Sequence, residues 1–185
     1  IIDGMISPEG ERVKFITPVN ARSNVENWLL SLQKEMVETL KKSLREGLKN
    51  FVNGAQKTRK DWILKHKGQV VTVVSQILWT LDTEDAIKEQ PTKGDSLAVW
   101  YNHGLKQLQV LTEMVRGELT ELSRKILVAL ITTDVHNRDI VNQLNTNEVE
   151  SITDNYWQQQ LRYYSGDDTE GCIVRQVTAS MDYGY

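Results

Sequence analysis

The sequence predicts a mainly α fold: an elongated antiparallel helix bundle with a small N-terminal β-hairpin and a C-terminal β-hairpin. Three observations point there. Apolar residues recur in steps of three and four from Val25 to Phe51, the period of one helix face. A second apolar run from Gly68 to Leu81 is too long for a typical strand. At both ends the period drops to two, in Met5–Phe15 and again in Leu161–Val177. The expected parts are an extended hairpin over residues 1–22, the helical bundle over 23–160 and a hairpin segment over 161–185.

Each element has its own warrant. In the first hairpin, Pro8 presets a turn backbone angle and Gly10 can take the left-handed conformation that follows. Ser23 and Glu26 form a capping box for the first helix. Its apolar stripe is Val25, Trp28, Leu29, Leu32, Met36, Leu40, Leu44, Leu48 and Phe51, with Glu35, Glu38, Lys41, Lys42, Arg45, Glu46 and Lys49 opposite; Asn53-Gly54 ends it. The second helix, from about Gly68, is apolar on most sides, hence central, and reaches Leu81 or continues through Ile87 before Pro91 and Gly94 break the chain. Asp95 or Ser96 caps a third helix, with Leu97, Tyr101, Leu105, Leu108, Leu111 and Val115 inward and Gly117 as its stop. The fourth starts near Thr120 and carries Leu122, Ile126, Ala129, Leu130, Thr133, Ile140 and Leu144. A short helix near Asp154–Gln160 presents Tyr156 and Trp157, and the loop 165–171 joins the last two strands.

Composition narrows the function. The chain has 185 residues, 39% hydrophobic and 25% charged, so it should fold. A net charge of −3 with no basic block argues against nucleic acid or an anionic membrane as partner. No apolar run approaches the roughly 20 residues needed to span a bilayer, and no signal peptide is visible. Cys172 is the only cysteine, which excludes an intramolecular disulfide and a multi-cysteine zinc site and suits a reducing compartment. The chain starts without a methionine and stops at Tyr185 inside an aromatic pattern, so a fragment of a larger chain is expected.

Candidate chemistry is sparse. The phosphate-loop, dinucleotide, nucleophile-elbow and zinc-protease motifs are absent, so no catalytic residue, cofactor or metal is expected in this stretch. The exception to test is Asp134-Val135-His136-Asn137-Arg138-Asp139, polar residues inside an apolar helix. His136 and Asp139 share a helix face and could supply two metal ligands, too few to define a site. Asp134 and Arg138 are spaced for an ion pair. The favoured reading is a structural polar lock of Asp134, His136, Arg138 and Asp139 tying this helix to a neighbour. Cys172 reads as a plain strand cysteine, the tryptophans as core, and Lys57, Arg59, Lys60, Lys65, His66 and Lys67 as a solvated surface.

Several motifs together resemble the dynein heavy chains. Gly4-Met5-Ile6-Ser7-Pro8-Glu9-Gly10-Glu11 resembles the start of the last part of their linker, as do Gly68-Gln69-Val70-Val71 and Ser75-Gln76-Ile77-Leu78-Trp79-Thr80. The 134–139 segment resembles the family's D-V-H-x-R-D. Gln160-Leu161-Arg162-Tyr163-Tyr164, Cys172 and Tyr183-Gly184-Tyr185 resemble the junction with the first AAA+ module. Order and spacing match along nearly the whole chain, in wording similar to the axonemal type. Two departures stand out: Lys67 and Ser165, where the family often has proline and tryptophan.

The resemblance implies the C-terminal half of a linker, a helical lever driven by ATP hydrolysis in the adjoining ring. It implies Arg162, Tyr163, Tyr164, Tyr183 and Tyr185 as ring-junction residues, and ATP with magnesium only in the parent chain. The implied partners are the chain's own AAA+ ring, intermediate and light chains, and microtubules, in the axoneme of a cilium or flagellum or alternatively the cytoplasm. A stand-alone helical interaction module and a metal-dependent enzyme using His136 and Asp139 remain open at this point.

Overall fold

The computed structural model describes residues 1–22, 24–54, 58–165 and 171–184. The predicted cap Ser23, Lys57 of the basic surface, the loop residues 166–170 and Tyr185 lie outside the described residues. The fold is mainly α, with small antiparallel sheets near both ends. Its residues group into two compact units, Ile1–Val74 with Tyr183–Tyr185, and Ser75–Asp182.

The first unit opens with the hairpin β1 (Ile2–Ile6) and β2 (Arg12–Val19), paired as Gly4↔Lys14, Met5↔Val13 and Ile6↔Arg12. Gly10 holds φ +88° in the turn, where Pro8 and Gly10 predict it, and its N–H donates to the Ser7 carbonyl at 2.9 Å. β2 packs on helix α1 (Val25–Val52) and buries Phe15 and Val19. Its edge donors find side chains: Ile16 N–H donates to Thr39 Oγ1 at 3.2 Å and Thr17 N–H to Glu35 Oε1 at 2.7 Å. Glu35, expected on the solvent face, therefore faces the hairpin, because a strand edge needs acceptors.

The α1 stripe is buried in its second half only. Leu40 and Leu44 are core, whereas Val25 and Leu29 are 59% and 46% exposed. Asn24 caps the helix, its Oδ1 accepting from Glu26 N–H at 3.2 Å. A helix absent from the sequence reading follows, α2 (Arg59–Lys65). Thr58 Oγ1 accepts from Asp61 N–H at 3.2 Å and donates to Asp61 Oδ2 at 2.9 Å, a reciprocal cap. Trp62 and Ile63 are buried, so the basic stretch is one face of an amphipathic turn rather than a wholly solvated surface. Trp62 Nε1 donates to the Gly47 carbonyl at 3.0 Å, and its ring meets Phe51 edge-on at 5.3 Å.

Helix α3 (Gly68–Lys93) is longer than predicted. Lys67 opens it, its carbonyl accepting from Val71 N–H, but a lysine side chain has no acceptor with which to cap. Glu11, from the hairpin turn, takes that role: both its carboxylate oxygens lie 3.1 Å from Gly68 N–H. Pro91 does not break the helix. It falls in the last turn, where only one carbonyl loses a donor, and Gly94 at φ +78° ends the helix.

In the second unit, α4 (Ser96–Arg116) and α5 (Glu121–Thr146) pack against each other. Asp95 precedes α4 but makes no side-chain cap; instead Gln90 Oε1 accepts from Leu97 N–H at 2.9 Å, and Gln90 Nε2 donates to the Gly94 carbonyl at 2.9 Å. Leu105, predicted inward, is 39% exposed, and Met114 is buried instead. The short helix α6 (Asn155–Gln158) follows, then the antiparallel sheet β3 (Arg162–Ser165), β4 (Cys172–Gln176), β5 (Ala179–Asp182) in that order. The hairpin β3–β4 matches the prediction; β5 is a third strand that the sequence reading lacks. Trp79, Ile87, Leu97, Ile140, Val141, Leu144, Val149 and Trp157 form one core cluster.

Gly47 marks a close helix approach in the first unit. A Cβ there would overlap Val70 Cγ1, and a β-branched side chain in a helix has essentially one rotamer. Gly47→Ala should gain about 1 kcal/mol of helix propensity and lose about 1–3 kcal/mol to overpacking. The expected outcome is a net lower urea midpoint by tryptophan fluorescence; a higher midpoint would show that the helices separate without cost.

Candidate functional site

The polar groups of the second unit converge where β3 meets α3. Thr80 and Glu84 lie four residues apart, on one face of α3. Thr80 is fully buried; its hydroxyl donates to the Gln76 carbonyl at 2.8 Å and accepts from Tyr163 N–H at 3.1 Å. One turn on, Glu84 Oε1 accepts from the Tyr164 hydroxyl at 2.5 Å and from Trp157 Nε1 at 3.3 Å. A single carboxylate oxygen thus ties α3 to both α6 and β3. Trp157 is itself buried, with its ring 5.6 Å from Trp79.

Two arginines complete the cluster. Arg162 is 5% exposed; its Nη1 donates to the Tyr164 hydroxyl at 3.5 Å and its Nη2 to the Val177 carbonyl at 3.4 Å. Arg175, its register partner on β4, lies over the Tyr164 ring with Cζ 5.1 Å from the centroid. Burial, with the Glu84 hydrogen bond and charge behind it, pushes the Tyr164 phenol up to about 12 against the opposing pull of Arg162. The phenol therefore stays a donor to Glu84 and does not ionise near neutrality.

Val177 adds strain at the β4–β5 turn. It is β-branched yet sits at φ +51°, a conformation that asparagine or glycine adopts far more readily. Both its backbone groups are held: its N–H donates to the Gln158 carbonyl at 2.7 Å, and its carbonyl receives Arg162.

The other predicted residues are dispersed along α5 and the chain's end. His136 and Asp139 are exposed, Asp134 and Arg138 partly buried. Arg138 pairs with its neighbour Asp139, Nη2 to Oδ1 at 2.6 Å and Nε to Oδ1 at 2.9 Å. The buried polar residue in that segment is Asn137, at 5% exposure. Among the described residues no group of three or more His, Cys, Asp or Glu could hold a metal ion. Cys172 is buried and its thiol is pushed up to about 11 by that burial, which makes it a poor nucleophile. Tyr183 lies beyond β5, partly buried. Sequence reasoning missed Thr80 and Glu84; the available signal was a pair of polar residues at helical spacing after the apolar run 70–79.

The cluster is built to fix backbone, not to react. Tyr164→Phe removes one donor to Glu84 and should cost about 1.5–3 kcal/mol in chemical unfolding. Because the folded phenol is raised above the ordinary value of 10.0, its contribution is complete below pH 10 and vanishes as the pH rises through about 12. Wild type should therefore lose stability in that window more steeply than Tyr164→Phe; equal slopes would mean the phenol is not held. Val177→Asn should stabilise by about 1 kcal/mol by relieving the left-handed strain, read as a higher unfolding midpoint.

A family model described as dynein heavy chain, N-terminal region 2, matches residues 1–47. Along the chain, human dynein axonemal heavy chain 6 is 37% identical over 183 residues, covering 98% of this chain and 4% of that protein. Mouse dynein axonemal heavy chain 2 is 35% identical over 185 residues, with 98% and 4% coverage. The dynein-1-beta heavy chain of the flagellar inner arm I1 complex from Chlamydomonas reinhardtii is 34% identical over 182 residues, again 98% and 4%. The chain spans about 4% of the length of these curated relatives. Matched from end to end at this identity, the chain belongs to the dynein heavy-chain family, as one short segment of such a protein.

Proposed function

We propose that this segment is the ring-proximal part of the linker of an axonemal dynein heavy chain, ending where the linker joins the first AAA+ module. In that role it is a lever and an anchor. ATP and magnesium would bind in the ring of the parent chain, and the parent would be the microtubule-stimulated ATPase. Intermediate and light chains and microtubules would be its partners, in the axoneme of a cilium or flagellum; the relatives' names include axonemal and flagellar heavy chains.

The observation that carries the reading is the Glu84 cluster. A lever must pass displacement at its junction without yielding, and packed, hydrogen-bonded groups with single rotamers do that better than loops. The junction strand β3 is held at consecutive residues, Tyr163 through its backbone N–H and Tyr164 through its hydroxyl. Nothing in the cluster has the geometry of an acid–base pair around an open substrate position. Its chemistry suits holding.

The test uses the complete heavy chain with Tyr163→Ala and Tyr164→Ala together. ATP turnover should persist while microtubule gliding slows severalfold, since the ring would cycle against a loosened lever. Normal gliding at normal turnover would refute the anchoring role. Glu84→Gln should show a smaller effect in the same direction, because the amide oxygen still accepts from both donors.

A further inference from the structure

A groove of about 560 Å³ opens along the second half of α3 and the first half of α4. Four carboxylates line it, Asp82, Asp85 and Glu89 from α3 and Asp95 ahead of α4, against a single lysine, Lys93. Lys93 is held by Glu89 at 2.7 Å. Asp82 is held above the usual carboxylate range, first by partial burial and then by repulsion from Asp85, with His103 opposing. Asp85 is paired with Lys88 at 3.1 Å, and all four carboxylates are solvent-exposed, so the groove is negative and open to water.

Two further features distinguish it from a chance run of acids. Ser96 lines the groove at 7% exposure, and its Oγ has no hydrogen-bond partner among the described residues. A buried hydroxyl without a partner is unusual, and this one can accept from a donor that enters the groove. Beside it stands an aromatic wall. Trp100 is fixed by its Nε1 donating to Thr83 Oγ1 at 3.0 Å, and the exposed His103 ring stacks on it with centroids 5.1 Å apart and planes 21° from parallel.

We infer that this groove receives an arginine side chain from a segment of a separate protein partner. Arginine fits each feature at once. Its planar fork can pair with a carboxylate such as Asp82 through two hydrogen bonds while a remaining N–H reaches Ser96 Oγ. Its flat face stacks on imidazole and indole rings. A lysine ammonium could satisfy the charge but not the plane. The groove is larger than one guanidinium needs, so residues flanking the arginine occupy the rest, which makes the occupant a polypeptide rather than a free small cation. The groove lies wholly within residues 82–103 and is independent of the linker assignment.

The test places a benzophenone amino acid at Val99, 59% exposed on the groove's rim, in the complete heavy chain within its native assembly. A second chain carries the same group at Val110, 49% exposed further along α4, as the control position. The expected result is a light-dependent adduct at position 99 with another polypeptide, mapped to a segment containing an arginine within a few residues of the cross-link. Its yield should fall severalfold with Asp82→Asn and Asp85→Asn together, the loss expected for two exposed cation–carboxylate pairs. Asp82→Arg should abolish the adduct, and replacing the partner's arginine with aspartate should restore it. Absence of an adduct above the Val110 control, an adduct within the same heavy chain, a mapped segment lacking arginine, or a yield that ignores the Asp82 and Asp85 substitutions would overturn the proposal.

Discussion

The second unit depends on Glu84 accepting two hydrogen bonds through one oxygen. A small three-stranded sheet with strands of four or five residues is not stable by itself in water. Here β3 is fastened to α3 by Thr80 and Glu84, β4 pairs with β3, and β5 with β4. The register of the whole sheet is thus inherited from the first strand. Trp157 brings α6 to the same carboxylate, and α6 in turn gives the Gln158 carbonyl that holds the strained Val177 at the last turn. Hydrogen bonds to a charged acceptor are worth about 1.5–3 kcal/mol each, comparable with the strain they help to hold.

Where the sequence was legible, hydrophobic period and glycine stops made it so. The long helices announced themselves by stripes, and Gly54 and Gly94 end theirs at positive φ. Two elements and one helix end were hidden for identifiable reasons. α2 has seven residues, too few for a period to show, and its charges drew attention from Trp62 and Ile63. β5 follows the turn Val177-Thr178, which has neither glycine nor asparagine where a left-handed residue is required. Pro91 reads as a breaker, but within the last turn it removes too little to end the helix early. Caps contributed from a distance, Glu11 on α3 and Gln90 on α4, leave no local signature at all.

The segment 134–139 illustrates how motif and phase can disagree. Taken as a motif, its charges suggest a buried cluster. Taken by phase, the inward stripe Leu130, Thr133, Ile140, Leu144 passes through Asn137 and leaves His136 and Asp139 outside, where the structure has them. The same phase carries Ile140, Val141 and Leu144 into the core with Trp79 and Trp157. The helical period was the better guide, since desolvating two polar side chains is costlier than turning them to water. Glu84 had the opposite fate for the same reason: it goes inward only because two donors meet it there.

That difference also separates a holding site from a reactive one. A reactive carboxylate or phenol is kept near the working pH so that it can exchange protons. Around Glu84 the arrangement does the reverse, moving the Tyr164 phenol further from neutrality and giving the carboxylate two donors. Cys172, raised by burial on the neighbouring strand, follows the same rule. Every titratable group with a resolved shift around this sheet has been driven toward a single protonation state. The proposed junction role would gain from that uniformity, because neither the Tyr164 phenol nor the Cys172 thiol ionises at physiological pH.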